Sequence, residues 1–235
     1  MALLRGVHET MERKDMALEV YLVRHGKTVF NTTGRLQGWS DSPLTQEGKQ
    51  VAEALGRALK GKVCFDAAFS SVSPRAVETA KLILAHQGQA HLPLQMIEEL
   101  REYGFGSFEG EFVKTVHDMV ARQRGFADIE AWLAAYHHAE SHLLAESISA
   151  LDPMGLAETE EQFFGRLRRG LTILTDIAPK QGKVLLVSHG MTITGILKII
   201  NPQSTLYKSV ENATVSHLKF ENYRWTVEKV GKRLS

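Results

Sequence analysis

Hydrophobic positions along the 235-residue chain follow two alternating rhythms. Short runs rich in β-branched and aromatic residues predict strands at Leu18–Val23, Ala67–Ser71, Leu94–Ile97, Val184–Ser188 and Ala213–Phe220. Between them, apolar residues recur three and four apart. In Thr45–Lys60, Val51, Leu55, Ala58 and Leu59 share one face, and Thr45 is placed to cap the N-terminus. In Ser73–His86, Ser73 stands at the N-cap and Pro74 at the first helical position. In Thr159–Ala178, Thr159 and Gln162 have capping-box spacing, and Phe163, Leu167, Leu171 and Leu174 form the stripe. Strands alternating with helices predict an α/β fold of three layers, a mostly parallel central sheet flanked by helices.

Residues 111–158 break the alternation. They carry no strand pattern and predict two or three helices, roughly Val113–Gly125 and Asp128–Glu146. No Pro/Gly/Ser-rich linker flanks them, so they are expected to be a helical cap inserted into one domain spanning residues 16–235. The apolar residues Trp132, Leu133, Tyr136, Leu143 and Leu144 are expected to be the cap's own packing surface. Residues 1–15 are mixed and polar, and are expected to form a dispensable extension.

The formal net charge of +1 gives no global field for nucleic acid or an anionic membrane, so any preference for an anionic ligand must be local. Cys64 is the only cysteine, which excludes an intramolecular disulfide and suits a reducing compartment. No apolar run reaches the roughly 18 to 20 residues needed to span a bilayer. The first residues lack the apolar stretch of a secretory signal, so a cytoplasmic protein is expected. His138 and His142 lie one helical turn apart beside His137, but no third ligand accompanies them, and neither metal nor other cofactor is expected.

The chemistry lies where strands end. Val23-Arg24-His25-Gly26 closes the first predicted strand, at the edge where open α/β sheets bind ligands. Val187-Ser188-His189-Gly190 closes a second, with a helix directly behind whose N-terminus is a ready anion site. Arg75 falls in the first turn of a helix, where a cation opposes the macrodipole and calls for a compensating anion such as a phosphate.

These residues sit in a series that resembles the histidine phosphatase (phosphoglycerate mutase-like) superfamily. The matching stretches are Leu22-Val-Arg-His-Gly-Lys-Thr28 with Asn31, and Gly34-Arg-Leu-Gln-Gly-Trp-Ser-Asp-Ser-Pro-Leu-Thr45. Ser70-Ser71 with Arg75–Ala80, Leu100-Arg-Glu102 with Gly106 and Glu109-Gly110, and Ser188-His189-Gly190 follow in the family's order. The resemblance implies that His25 attacks phosphorus and becomes a phosphohistidine. It implies that Arg24, Arg75 and His189 hold the phosphoryl oxygens and that Asn31 adds a neutral donor. Gln37, Gly38 and Gly190 are carried over as phosphate- or substrate-contacting positions. Glu102 holds the place of the general acid, with Glu98, Glu99 and Glu109 as nearby alternatives. For His25 to attack, its other ring nitrogen should donate to a backbone carbonyl.

Three functions fit this resemblance. Mutases of the family have a longer signature around the acid, a pair of arginines in the inserted region, and a tryptophan where this chain has Phe30. None of those features is present, so a metal-independent phosphatase of a small phosphorylated metabolite is the expected reading, ahead of a cofactor-dependent phosphoglycerate mutase. Non-catalytic binding modules of this fold generally lack the histidine or the acid, both of which stand here. The substrate and the oligomeric state are not legible in the sequence.

Overall fold

A computed structural model describes residues 17–136, 142–202 and 209–234. The extension expected at residues 1–15 and the histidines His137 and His138 lie outside them. Among the described residues, six strands form one sheet in the order β3-β2-β4-β1-β5-β6. They are β1 (Leu18–Arg24), β2 (Ala67–Ser70), β3 (Leu94–Met96), β4 (Gly182–Ser188), β5 (Val215–Glu221) and β6 (Arg224–Lys232). The pairs β1–β4, β2–β4 and β2–β3 are parallel, whereas β1–β5 and β5–β6 are antiparallel. The sheet is therefore mixed, with its parallel part at the centre of the fold and an antiparallel hairpin at one edge.

Helices cover both faces. Successive residues of a strand point to opposite sides. On β4, Val184 and Leu186 accordingly join one core while Leu185 and Val187 join the other. The second core is closed by α2 (Gln46–Leu59) and α3 (Pro74–Gln87). The first is closed by α7 (Glu160–Ile177), α8 (Gly190–Ile200) and three helices over the segment expected to be a cap. Those three are α4 (Val113–Gln123), α5 (Ile129–Tyr136) and α6 (Leu143–Leu151). The capping box of Thr159 and Gln162 is present, as is the Thr45 cap, whose hydroxyl accepts from the Gly48 N–H.

Five local readings differ from the structure. The stretch Asp128–Glu146 is not one helix: α5 ends at Tyr136 and α6 starts after His142, whose side chain caps it. In α2 the buried face is Gly48, Ala52, Leu55, Gly56 and Leu59, and Val51 is exposed, because the small residues let α2 approach α3 closely. β5 begins at Val215, not Ala213, which has φ 55° and donates its N–H to the Arg24 carbonyl. Strand β6 was not expected at all. It follows a two-residue turn at Asn222 and Tyr223, with φ of 50° and 62°, the left-handed pair that suits a tight hairpin. A short helix, α1 (Val29–Thr33), was also not anticipated, although Thr28 and Asn31 form its capping box.

Candidate active site

Register brings the two His-Gly runs together. β1 and β4 are parallel neighbours in which Arg24 lies opposite Ser188. The residues that follow are thus forced side by side, and the His25 N–H donates to the Ser188 carbonyl at 2.9 Å. The rings of His25 and His189 stand 5.2 Å apart between centroids, tilted by 59°. Gly26 fits below because a Cβ there would lie 2.6 Å from the Gly48 carbonyl oxygen on α2.

His25 is buried, and its Nδ1 lies 2.8 Å from the Gly26 carbonyl oxygen. A carbonyl only accepts, so Nδ1 carries the proton and Nε2 keeps its lone pair in the neutral ring. Burial pushes the His25 pKa well below 6.5, and the charges of Arg75 and Arg24 push it further the same way. The ring is neutral at physiological pH. His189 is fully buried and shifted downward for the same reasons, desolvation first and then Arg75. Its Nε2 lies 2.6 Å from the Ser71 hydroxyl. With that hydroxyl donating to Nε2, Nδ1 carries the proton, and Nδ1 has no partner within the protein.

Arg24 donates through Nη1 to the Val210 carbonyl at 2.6 Å, while its buried Nε is unpartnered. Arg75 is used differently from the expectation. The anion that offsets this cation at the head of α3 is Asp41, 2.7 Å from Nη1. Its remaining bonds go to the carbonyls of Ser40, Gln37 and Gly38, leaving Nε alone without a partner. Arg24 Nε, Arg75 Nε and His189 Nδ1 are thus three buried donors unmatched by protein, the arrangement an anion would satisfy.

The N-terminus of α8 also departs from the expectation of a bare anion site. The N–H groups of Met191 and Thr192 donate to the carboxylate of Glu102 at 3.0 and 2.9 Å, joined by the Tyr103 N–H and the Thr192 hydroxyl. The group that occupies this helix terminus is the side chain of Glu102 itself. Its backbone is held by Arg166, whose five N–H donors are all used. Two go to the Glu158 carboxylate at 2.7 and 2.6 Å, and the others to the carbonyls of Glu99, Arg101 and Glu102. Glu158 in turn accepts from the Gly104 N–H. The alternative acids fall elsewhere. Glu98 is exposed beside Arg101, and Glu109 is spent on the N–H groups of Gly38, Trp39, Ser40 and Phe105.

Arg24, His25, Asn31, Gln37, Glu102 and Gly190 line one end of a cavity of about 350 Å³. Asn31 commits its oxygen to the Thr28 N–H, which leaves its amide nitrogen as the donor it offers. Gln37 is largely structural, linking the hydroxyls of Thr28 and Ser42. Gly38 is not a cavity residue: its N–H is taken by Glu109, and a Cβ would sit 2.0 Å from the Tyr103 carbonyl oxygen. A Cβ on Gly190 would lie 3.3 Å from Arg24 Cζ and 3.0 Å from Ser209 Oγ, closer than ordinary contact.

The other end of the cavity is mostly apolar. Leu36, Phe105, Val113, Ile129, Leu143 and Leu144 form much of its wall, with Arg35, His117, Glu130, His142 and Lys198 among them. Trp132 and Leu133 therefore do double duty, packing the helices and lining the cavity. Sequence reasoning missed Arg166, Ser71 as the His189 partner, Asn212, which donates to the His25 carbonyl at 2.9 Å, and the whole polar set at the outer end. Among the described residues no group of three or more His, Cys, Asp or Glu side chains is placed to hold a metal ion. No helix there is long and apolar enough to cross a membrane.

Comparison with known proteins adds the relatives. The profile of the histidine phosphatase superfamily (branch 1) matches residues 20–233. The 2,3-bisphosphoglycerate-dependent phosphoglycerate mutase of Methylobacterium sp. (strain 4-46) is 30% identical over 186 residues, covering 78% of this chain and 81% of that one. Among solved structures, a phosphoglycerate mutase from Bacillus anthracis str. Sterne is 37% identical with a TM-score of 0.87, over 93% of this chain and 95% of that one. The α-ribazole phosphatase of Shigella flexneri is 26% identical with a TM-score of 0.67, over 92% of this chain and 96% of that one. The neighbours thus include both mutases and phosphatases.

Proposed function

The chain belongs to the histidine phosphatase superfamily, and we propose that within it the protein is a phosphomonoesterase working through a phosphohistidine on His25. The observation that carries this reading is the two-ended cavity. One end offers a neutral imidazole with a free lone pair beside Arg24, whose Nε is unmatched, and the other offers a largely apolar wall. A second dianion would have to leave water for that wall, where Glu130 stands among the cations Arg35 and Lys198. Lys114, Arg122 and Arg124 do not line the cavity.

In this mechanism the Nε2 lone pair of His25 attacks phosphorus as the bond to the leaving oxygen breaks. Glu102 gives that oxygen its proton, releasing the alcohol. Water then attacks the phosphohistidine, Glu102 takes a proton from it, and His25 departs from inorganic phosphate. Arg24, Arg75 and the Nδ1–H of His189 offset charge on the equatorial oxygens, and Asn31 adds a neutral donor. Positive charge comes from side chains, so the scheme calls for no metal.

The names of the Methylobacterium and Bacillus relatives favour a second reading, phosphoglycerate mutase. One experiment separates the two. Purified protein is offered a phosphomonoester panel and phosphoglycerate in excess chelator, with quenching that avoids acid. Phosphate release that survives chelation, with label on His25, is the expected result. Activity lost to chelator and restored by a divalent metal, or label on serine, overturns the mechanism. Isomerisation of phosphoglycerate faster than hydrolysis of any ester makes the protein a mutase.

A further inference from the structure

The outer end of the cavity holds a polar pair that the chemistry at His25 does not use. His142 is 6% exposed, lines the cavity, and caps α6 by accepting the Ala145 N–H on Nδ1. An accepting Nδ1 places the ring proton on Nε2. That Nε2 is buried and has no partner in the protein. The ring is held edge-on by Phe163 and Phe164, with centroids at 5.8 and 6.3 Å, so the donor is fixed in place. Burial and the nearby charge of Lys198 push its pKa down to about 4, which keeps it a neutral donor.

Lys198 is the second member. It is 8% exposed and lines the same cavity. Gly190, Thr194 and Lys198 recur every fourth residue of α8, all three on the cavity. At 1.5 Å per residue, the Cα of Lys198 stands about 12 Å along the helix from Gly190, and long helical side chains lean back toward the N-terminus. Lys198 thus stands on the cavity wall about two helical turns from Gly190, a span suited to a ring-sized leaving group. Glu130 and the cation Arg35 line this end as well.

We propose that His142 and Lys198 form a leaving-group subsite for a single carboxylate, and that the preferred substrate is a phosphomonoester with an apolar, ring-sized body ending in that group. The apolar wall takes the body, Nε2–H and the ammonium take the carboxylate oxygens, and the phosphoryl group lies at His25. The proposal rests on the phosphomonoesterase reading.

The test compares phenyl phosphate with para-carboxyphenyl phosphate. Wild-type kcat/KM is expected to favour the carboxylated ester by about tenfold, the scale of one charge-assisted hydrogen bond. His142→Asn keeps a capping oxygen and removes the ring donor; Lys198→Met keeps the stem and removes the charge. Each should lower the preference ratio by about fivefold or more. Leaving-group chemistry is common to all three proteins, so a change in ratio reads the contact. Equal kcat/KM for both esters in wild type, or a ratio unmoved by both substitutions, overturns the subsite and leaves the phosphatase standing. Equal losses on both esters with a fall in Tm assign the two residues to structure and also overturn it. Hydrolysis of neither ester by wild type ends both readings.

Discussion

The two ends of the cavity are built by different means. At the His25 end, positions follow from backbone register: parallel pairing of β1 with β4 sets Arg24 beside Ser188, and hence His25 beside His189. At the outer end, the lining comes from side chains on α4, α5, α6 and α8, whose placement depends on how helices pack. Hydrogen-bond ladders allow few alternatives, whereas helix packing tolerates many substitutions of similar volume. On the phosphomonoesterase reading, reaction chemistry is lodged in the end fixed by register, and selectivity in the end that can vary.

The sharpest test of that division is His25→Ala. It should cut phosphoester turnover by about 10⁴-fold or more, as loss of a nucleophile does elsewhere. A single-turnover measurement on an activated aryl ester suffices, and residual activity within tenfold of wild type would remove His25 from the chemistry.

Next comes the clamp behind Glu102. Arg166→Lys keeps the charge but cannot reproduce a fork that bonds Glu158 and three carbonyls at once. If Arg166 positions the acid, kcat on an alkyl phosphate should fall by about 10²-fold, the scale of general acid catalysis, and much less on an ester with a good leaving group. Parallel losses on both esters would reduce Arg166 to a structural ion pair.

These residues also mark what a sequence makes legible. Strand ends, caps and the His-Gly runs were readable because each is a local pattern with a backbone consequence. Arg166 was not, since its partners at residues 99–102 are remote in sequence and are carbonyls, which leave no compositional trace. Arg75 was found for a reason only partly right: the helix terminus did demand an anion, and Asp41 supplies it. Gly38 was read as a ligand contact when its close approach is to the Tyr103 backbone. Strand β6 was missed because its alternation is weak, with mostly exposed residues along an edge.

A smaller effect concerns acid. The pKa values of His25 and His189 lie well below 6.5 in the folded state, and that of His142 at about 4. In the unfolded chain each titrates near 6.5, so the unfolded state binds more protons between those values. Stability is complete above pH 6.5 and declines as pH falls through it toward the folded values. His142 alone should cost about 2 kcal/mol by pH 5. Thermal melts should show Tm falling from pH 7 to pH 5, with a shallower slope in His142→Asn. An identical slope would mean that the outer end contributes nothing to the acid sensitivity.

The smallest expected effect is a change in charge on the helices outside the cavity. Lys114 is bonded to Asp118 with its side chain 85% exposed, and Arg124 is bonded to Glu146 and Ser147. Neither lines the cavity. At physiological salt, charges separated by more than about 8 Å of solvent are largely screened. Lys114→Met should therefore leave the ratio of kcat/KM for matched mono- and bisphosphorylated sugars within about twofold, at both low and physiological salt. Monophosphates should be preferred throughout, because much of the wall opposite His25 is apolar. A tenfold drop in the bisphosphate arm, about 1.4 kcal/mol, would mean that Lys114 swings over the cavity when substrate binds. The outer end would then hold a second phosphate, the division between a charged and an apolar end would fail, and the mutase reading would become the stronger one.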